Sequence, residues 1–423
     1  MSRKQLNWAV ISGHMVECFD ATIYGFYAVT LASYFFPPGP RQVLWSYAAF
    51  LSGFISRPLG ALLFGFLGDK YGRQKPLLAS MAFVGVPTIL IGILPTYDQI
   101  GLWAPWILFF CRFSQGVLYG AEFAGVSIYT FESYETTGVV GAKTGILVAS
   151  GIMGAALATG LGVIFTLDAL PSFVWRVPFV CGGLAAFAVF FWRRRMCETP
   201  AFEKAQRQKT LLDKPTAGLM RYLPEMFVAL LIVSLNTMPL YLITVFGNHM
   251  FRDFGYTSSE SMAMNTSALV FGGLLIMFCG RLADRLGFER LIVWGCIWMI
   301  LVAVPSFYLL YAAPSVVTIC VFMMLILIGD ALVSACTMPY IATFFPTNCR
   351  FSAVALSTAL GAAFIAGPTP FLATFLIEFT GLKIAPAFWL VGVSIITLYG
   401  IYRMKRKKTK DLVPKTLDFA PVN

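Results

Sequence analysis

The sequence is poor in charge. Aspartate, glutamate, lysine and arginine together make up 12% of the 423 residues, against about a quarter of an ordinary soluble domain. Apolar residues make up 58%, more than a single water-soluble core can bury. The sequence contains no nucleophile–base motif and no glycine-rich phosphate loop, so we expect a protein that is not an enzyme and needs no cofactor.

Polar segments are also few. The two longest are 193–222 and 403–423. Neither has the length of a folded soluble domain, which is typically about 50 residues or more. A sensor or receptor that signals through such a domain is therefore disfavoured.

Cysteines are present, but not where a disulfide framework would need them. None of the nine falls in a segment that we assign to the outside, and no pair has the spacing of a zinc site. We therefore expect neither disulfides nor a bound metal.

Long apolar runs dominate what remains. A transmembrane helix needs about 20 mostly apolar residues to cross the hydrocarbon core, and twelve stretches qualify. They do not alternate as barrel strands do, so we predict an all-α membrane protein with twelve transmembrane helices. The predicted spans are 8–33, 43–67, 76–95, 103–128, 141–167, 173–192, 223–247, 262–279, 290–312, 314–341, 350–378 and 384–402.

The basic residues lie mainly on one side of the predicted membrane. With a cytoplasmic amino terminus, cytoplasmic segments hold 25 of the 31 lysines and arginines, and outward loops hold three. This asymmetry follows the positive-inside rule and predicts that both termini are cytoplasmic. It also explains the net charge of +11 without nucleic acid, because the run Arg403–Lys410 is then a flank beside anionic lipid of the bilayer.

A short loop occurs twice, at matching places in the chain. After the second span the sequence reads GFLGDKYGRQK from Gly65, and after the eighth it reads GRLADRLGFER from Gly280. The repeat predicts two related six-helix halves. The predicted divisions are an N-terminal half at 1–192, a cytoplasmic linker at 193–222, a C-terminal half at 223–402 and a basic tail at 403–423. The residues that we expect to form a cytoplasmic gate are Gly65, Asp69, Gly72, Arg73, Asp284 and Arg285.

The repeated loop resembles the signature of the major facilitator superfamily. Further stretches resemble its metabolite:proton symporter family, in particular the proline/betaine and dicarboxylate transporters. These stretches are Arg57-Pro-Leu-Gly60, Arg112-x-x-Gln-Gly116, Trp175-Arg-Val-Pro-Phe179, Glu198-Thr-Pro-Ala-Phe202 and FPTNCRFSAVAL at 345–356. In the first span the two acids of the family stand at Glu17 and Asp20, whereas its asparagine and its aromatic residue are replaced by His14 and Cys18.

The resemblance implies a major facilitator fold that works by alternating access in the cytoplasmic (inner) membrane. It further implies a monomeric secondary transporter that takes up a small molecule together with protons. We expect the substrate to be a small carboxylate or an amino-acid-like or betaine-like zwitterion. An efflux antiporter of the same superfamily is disfavoured, because the glycine-rich segment 145–162 lacks the Gly-Pro pair of such exporters.

Polar residues inside the spans mark the candidate transport site. On the first span they recur every three or four residues, which places them on one helical stripe, and a second stripe follows the fourth span. The resemblance places these two helices, with the seventh and tenth, around a central cavity. The candidate substrate-binding and proton-coupling residues are His14, Glu17, Asp20, Tyr24, Arg57, Arg112, Gln115, Tyr119, Glu122, Asn236, Tyr241 and Asp330.

Their depths follow from a rise of about 1.5 Å per residue in straight helices. Asp20 and Arg112 then lie at one level near the midplane, where carriers place their sites. A second layer nearer the cytoplasm consists of His14, Glu17, Arg57 and Glu122. Acids outnumber arginines inside the spans, and burial favours the protonated form of a carboxyl group, which supports proton coupling.

Each of these residues also has a structural explanation. Arg57 and Arg112 could tie helices together, and the tyrosines could serve packing alone. His14 could be neutral and hydrogen-bonded, Asn236 could bridge backbone groups, and Asp330 could make a buried hydrogen bond. The sequence leaves both explanations open.

Overall fold

A computed structural model describes residues 3–120, 122–165, 171, 173–212 and 215–412. Within them the chain forms twelve long helices, α1 to α12, and three short ones: Tyr97–Ile100, a linker helix and the 3₁₀ helix Pro215–Tyr222. This confirms the predicted all-α architecture; the tail beyond residue 412 lies outside the described residues. The bounds are α1 Arg3–Phe35, α2 Gln42–Ile55 with Arg57–Tyr71, α3 Gln74–Ile93, α4 Trp103–Tyr119 with Glu122–Tyr134, α5 Val140–Phe165, α6 Arg176–Arg193, linker helix Pro200–Arg207, α7 Leu223–Tyr241 with Gly247–Asp253, α8 Ser258–Leu286, α9 Phe288–Ala312, α10 Val316–Ala342, α11 Arg350–Gly361 with Thr369–Thr380, and α12 Ala385–Leu412.

Several of the helices are irregular where the sequence contains proline. Proline has no N–H to donate and clashes with the preceding turn. In α2 a new segment begins at Arg57, and Pro58 stands in its first turn. In α7 a π-helical turn, Leu242–Phe246, follows Pro239. These breaks change the direction and level of the side chains that follow them.

The outer surface is apolar, as a lipid-facing surface must be. Phe110, Phe371 and Phe379 are 68%, 71% and 78% exposed. A protein in water does not expose so many large apolar side chains together. Ten of the helices are long and apolar enough by composition to cross a membrane, and α1 and α4, which carry the polar stripes, complete the twelve-helix arrangement. The chain is a multi-pass membrane protein.

The two halves meet through helices that cross at glycines. α5 packs along α8, and α2 packs along α11. A Cβ atom on Gly280 would lie 2.4 Å from the carbonyl oxygen of Gly141, and one on Gly65 would lie 2.8 Å from the Cα of Ser352. The missing side chains let the backbones approach closely. These crossings lie on the side of the bundle that also carries the linker helix, which we call the linker side.

Candidate transport site and gate

Asp20 lies at the centre of a hydrogen-bonded cluster between α1, α3 and α4. Its Oδ2 accepts hydrogen bonds from the hydroxyl of Tyr119 and, at 2.8 Å, from Nε2 of Gln115. Nε2 of Gln115 also donates to the hydroxyl of Thr88 at 2.8 Å. Oε1 of Gln115 accepts from Nη1 of Arg112 at 2.8 Å. The Gln115 amide therefore connects Asp20 to Arg112, in place of the direct ion pair that their equal depth allows.

Two buried atoms of this cluster remain available. Oδ1 of Asp20 and Nε of Arg112 have no hydrogen-bond partner among the residues that the structure describes. The guanidinium of Arg112 lies 4.4 Å from the ring centroid of Tyr24 and 5.5 Å from that of Phe50. Buried polar atoms without partners are rare in folded proteins. The cluster thus offers one acceptor and one donor to groups that come from outside it.

Glu122 pairs with an arginine that sequence reasoning assigned to the linker. Its Oε1 lies 2.6 Å from Nη1 of Arg193, the last residue of α6, and its Oε2 accepts a hydrogen bond from Ser80. Arg193 also donates to the carbonyl oxygens of Ala9 at 3.2 Å and Leu77 at 3.1 Å. The pair ties α6 to α1, α3 and α4 within the N-terminal half.

His14 and Glu17 contact each other on α1. Nδ1 of His14 and Oε2 of Glu17 are 3.0 Å apart, and the two side chains belong to buried residues. Sγ of Cys18 lies 3.8 Å from each ring nitrogen of His14. The ring of Phe123 stacks on His14 with centroids 5.0 Å apart. The stripe predicted for α1 is thus divided between this group and the Asp20 cluster.

The predicted lower layer of His14, Glu17, Arg57 and Glu122 stays a prediction about depth, and the side chain of Arg57 contacts residues outside it. The guanidinium of Arg57 lies 4.4 Å from the ring centroid of Phe54, and the Phe54 ring makes an edge contact with Tyr241 of α7, 6.2 Å between centroids. A Cβ atom on Gly120, two residues before Glu122, would lie 2.1 Å from the carbonyl oxygen of Arg57. The Arg57 side chain lies beside the contact between the halves, and Glu122 pairs with Arg193.

In the C-terminal half the candidate residues are more dispersed. Asp330 is 2% exposed, and its Oδ1 accepts a hydrogen bond from Ser334 at 3.0 Å. The same hydroxyl lies 3.4 Å from the backbone oxygen of Asn236. Asp330 and Asn236 are thus linked through Ser334, whereas Tyr241 faces the N-terminal half through Phe54.

The first copy of the repeated loop holds a helix of the opposite half. Oδ1 and Oδ2 of Asp69 accept hydrogen bonds from the backbone N–H groups of Phe351 at 3.0 Å and Ser352 at 2.8 Å. These amides lie in the first turn of α11, where N–H groups have no partner within the helix. Gly72, at φ +105°, turns the loop after α2. We call this contact, with the charged residues around it, the first latch.

A buried charge cluster surrounds the Asp69 contact. Glu132, at the end of α4, accepts two hydrogen bonds from Arg73, at 3.0 and 3.1 Å, and one from Arg350 at 3.0 Å. Arg73 also contacts Asp69 at 3.2 Å and donates to the backbone oxygen of Thr347 at 2.7 Å. The cluster joins three segments of the two halves, and all its charges are paired.

The linker completes the first latch. The hydroxyl of Thr199 donates to Oε2 of Glu132 at 2.6 Å and caps the linker helix at Phe202. The carboxylate of Glu198 accepts a hydrogen bond from the backbone N–H of Gln74 at 3.3 Å. Burial raises the pKa of Glu198, and the backbone hydrogen bonds to its carboxylate offset only part of that effect. The linker is thus fixed to the first copy of the repeated loop, although more than 120 residues separate the two in sequence.

The second copy of the loop makes the reciprocal contact. Oδ1 and Oδ2 of Asp284 accept hydrogen bonds from the backbone N–H groups of Gly141 at 2.6 Å and Ala142 at 2.8 Å, in the first turn of α5. Gly287 has φ +92°, as Gly72 has a positive φ in the first copy. Arg285 is exposed on this turn. We call this contact the second latch.

Several residues of this arrangement were not among the predicted ones. They are Glu132, Thr199, Arg193 and Arg350. A signal was available for each, because each is polar or charged and stands at the end of a span or in a stretch that carries the family resemblance. The sequence alone does not show which residues they contact, so they cannot be told apart from ordinary loop residues.

Comparison with known proteins identifies the family and the fold. Residues 6–218 match the family described as "Sugar (and other) transporter", and residues 226–421 match the "Major Facilitator Superfamily". The proton:xylose symporter XylE has the same fold, with a TM-score of 0.76 at 13% identity over 97% of this chain and 96% of that one.

Curated relatives extend over nearly the whole chain. The citrate-proton symporter of Klebsiella pneumoniae is 29% identical over 408 residues, which cover 94% of this chain and 91% of the relative. The proline/betaine transporter of Escherichia coli K12 is 30% identical over 421 residues, which cover 95% of this chain and 83% of the relative. This chain therefore belongs to the major facilitator superfamily, among its metabolite:proton symporters.

Proposed function

We propose that this protein takes up a small carboxylate or zwitterion together with protons. The observation that carries the proposal is the connection from Asp20 through Gln115 to Arg112. It joins a carboxyl group, which can bind a proton, to a guanidinium, which can bind a substrate carboxylate. The relatives whose names specify citrate with protons and proline or betaine support the same class of transport.

Proton and substrate are coupled through charge. When Asp20 is ionised, its negative charge stabilises the nearby Arg112. When Asp20 takes up a proton, the positive charge of Arg112 loses that compensation in a medium of low dielectric constant, where charge interactions are strong. A substrate carboxylate then restores the balance by binding the guanidinium in its two-pronged geometry. Release of the proton reverses the exchange.

The remaining acids of α1 and α4 provide the exit for the proton. Glu17 is one helical turn from Asp20 toward the linker side, and it contacts His14. Glu122 is held by Arg193, so its negative charge already has a partner. We therefore assign the transfer to Glu17 and His14, and assign Glu122 to holding the helices of the N-terminal half together.

The two latches act as the gate in this proposal. Both are formed, so the linker side is closed, and by the charge asymmetry the linker side and both termini are cytoplasmic. The described conformation is then closed toward the cytoplasm. Rocking of the halves about the site must break both latches to release substrate inside.

Uptake into liposomes with an imposed pH gradient tests the proposal, with labelled citrate, proline and betaine as probes. A thermal-shift screen selects the probe, because a bound ligand raises the apparent stability. Arg112→Ala should lower uptake at least a hundredfold, and Arg112→Lys should restore only part of it, because lysine lacks the fork. Arg176→Lys is the matched control, since among the described residues Arg176 donates to the backbone oxygens of Gly92 and Leu94 and lies over the ring of Trp175, with no hydrogen bond to the Asp20 cluster.

Asp20→Asn separates binding from coupling. The neutral side chain mimics the protonated state, so substrate exchange across the membrane should continue while accumulation driven by the pH gradient is lost. If Asp20→Asn still accumulates substrate with the pH dependence of the parent protein, the coupling carboxyl lies elsewhere, and Glu17 or Asp330 takes its place.

A further inference from the structure

Three side chains with metal-binding atoms meet on one face of α1. His14, Glu17 and Cys18 stand at positions i, i+3 and i+4, which lie side by side on a helix. Their ligand atoms all lie within 4.8 Å of one another. Within the group, His14 Nδ1 is 3.0 Å from Glu17 Oε2, and Cys18 Sγ is 3.8 Å from each ring nitrogen.

Helix α5 packs closely against these atoms. On α5, which packs along α1, residue 151 is a glycine. A Cβ atom there would lie 2.5 Å from Nε2 of His14 and 2.9 Å from Sγ of Cys18. Any other residue would clash with these two side chains, so the glycine allows both to occupy their positions. The stacked Phe123 ring fixes the plane of the imidazole.

We propose that His14, Glu17 and Cys18 bind a divalent transition-metal ion such as Zn²⁺. With metal–ligand distances of about 2.0–2.3 Å, two ligands of a tetrahedral zinc ion lie roughly 3.3–3.7 Å apart. The observed separations of 3.0 and 3.8 Å bracket that range. Because Sγ of Cys18 is equally far from both ring nitrogens, its side chain must turn toward Nδ1 of His14 to share an ion with Glu17. A thiolate and an imidazole favour Zn²⁺ over Mg²⁺ or Ca²⁺, which prefer oxygen ligands.

Charge balance favours such an ion at this depth. The carboxylate of Glu17 and the thiolate of Cys18 supply two negative charges, which neutralise the ion and avoid the cost of an unpaired charge in the membrane. Binding displaces the thiol proton of Cys18 into solvent. Three protein ligands leave one coordination position for water.

The site is tested by direct binding to the purified full-length protein, which carries an affinity tag without histidines. Co²⁺ is the probe, because a cobalt–thiolate bond gives an absorption band in the near ultraviolet, and Zn²⁺ competes with it. The parent protein should bind one ion per chain with that band. Cys18→Ser should lose the band and weaken binding at least tenfold. Cys111→Ser and His249→Ala, which alter another buried cysteine and the second of the two histidines, should change neither.

Further variants protect the test against misfolding. Thermal unfolding without metal shows whether Cys18→Ser retains the fold, and His14→Gln provides a second loss of a ligand. Gly151→Ala keeps all three ligands, but its methyl group would displace His14 and Cys18, and it should also weaken binding at least tenfold. A parent protein that binds no Co²⁺, or a Cys18→Ser variant that keeps the band, would overturn the proposal.

A functional consequence rests on the proposed transport activity. A bound ion occupies Glu17 and His14, to which we assign proton transfer, so Zn²⁺ should inhibit pH-driven uptake by the parent protein but not by Cys18→Ser. Binding without inhibition refutes the role of Glu17 and His14 in proton transfer and leaves the metal site in place. The binding measurement needs no transport, so the two failures are distinguishable.

Discussion

The two latches do the same task with different chemistry. Asp69 and Asp284 each cap two backbone N–H groups of a helix in the opposite half. Asp69 is fully buried beside a charge cluster, whereas Asp284 is partly exposed. The duplicated loop thus makes a strongly electrostatic contact at the first latch and a mainly apolar contact at the second.

Matching positions make the difference explicit. Counted from the capping aspartate, Arg73 of the first latch corresponds to Phe288 of the second. Counted from the capped amides, Arg350 corresponds to Val140 and Glu132 to Ala342. Val140 and Ala342 are buried in one apolar cluster, and Phe288 packs against it. Each of these three charged residues of the first latch has an apolar counterpart in the second.

This comparison predicts how substitutions in each latch should affect the stability of the closed state. Removing one member of a buried ion cluster leaves its partners charged and unpaired, which is strongly destabilising. Removing one contact from the apolar cluster around Asp284 should destabilise the closed state less, because water reaches the exposed part of that aspartate. A substitution in the first latch should therefore destabilise the closed state strongly, and a substitution in the second should destabilise it less.

The largest effect should come from Glu132→Gln. This variant leaves Arg73 and Arg350 without their shared carboxylate, so the closed state should lose about 3–5 kcal/mol. Spin labels at the exposed positions Glu135 and Thr343, with the exposed cysteines 181, 197 and 320 replaced by serine, report the separation of the halves. We expect most molecules of the variant to show a longer distance between the two spin labels than the parent protein shows.

Glu203→Gln is the matched control for that variant. It removes a carboxylate from an exposed ion pair with Arg207, and exposed pairs contribute little. Its distance distribution should equal that of the parent protein. A Glu132→Gln protein that stays closed would show that the charge cluster does not hold the halves together.

A smaller effect is expected for Asp69→Asn. An amide side chain has one acceptor oxygen, so one of the two capped N–H groups of α11 loses its partner, and the contact with Arg73 loses its charge. We expect a loss of about 2 kcal/mol in the closed state. Transport should slow while equilibrium binding of substrate is retained, because the loop lies far from Asp20. Loss of binding in a folded Asp69→Asn protein would show that the loop is not a gate.

Asp284→Asn should have a smaller effect again. It removes the same kind of cap, but no arginine of the latch depends on Asp284, and water can reach the freed amide. We expect about 1 kcal/mol, measured by the same pair of spin labels. Equal shifts for Asp69→Asn and Asp284→Asn would refute the proposed inequality of the latches.

The smallest effect should follow from Arg285→Ala. Its side chain is exposed on the turn of the second latch, and surface substitutions usually change stability by less than about 0.5 kcal/mol. Neither the distance distribution nor the transport rate should change measurably. A clear opening in this variant would give Arg285 the gating role that its place in the repeat predicts.

The sequence was sufficient for the fold but only partly for the site. Hydrophobic length and a repeated loop are local signals, so the twelve helices and the two halves were predictable. The gate role of Asp69 stays a prediction; its partners lie 282 and 283 residues away in sequence, and no local pattern indicates such a contact.

The polar layers show what counting along a helix leaves out. Counting assigns Arg57 a depth but not its contacts, and its side chain lies over the ring of Phe54. The partner of Glu122 was missed because Arg193 stands at the end of α6 and reads as the first residue of a basic linker. Long side chains reach back into the bundle from such positions, so the end of an apolar run does not mark the end of the buried region.

Because each aspartate caps a helix of the opposite half, the two latches form in a fixed order during synthesis. The second latch joins residues 143 positions apart and can form once Asp284 has been made, whereas the first must await Phe351. At about 5–20 residues per second, the interval between them is roughly 3–13 s. During that time Arg73 and Glu132 can pair with each other and with Asp69 and Thr199, but not yet with Thr347 and Arg350. A nascent chain therefore passes through a stage in which its halves are joined on one edge alone, and the last helices close the other edge.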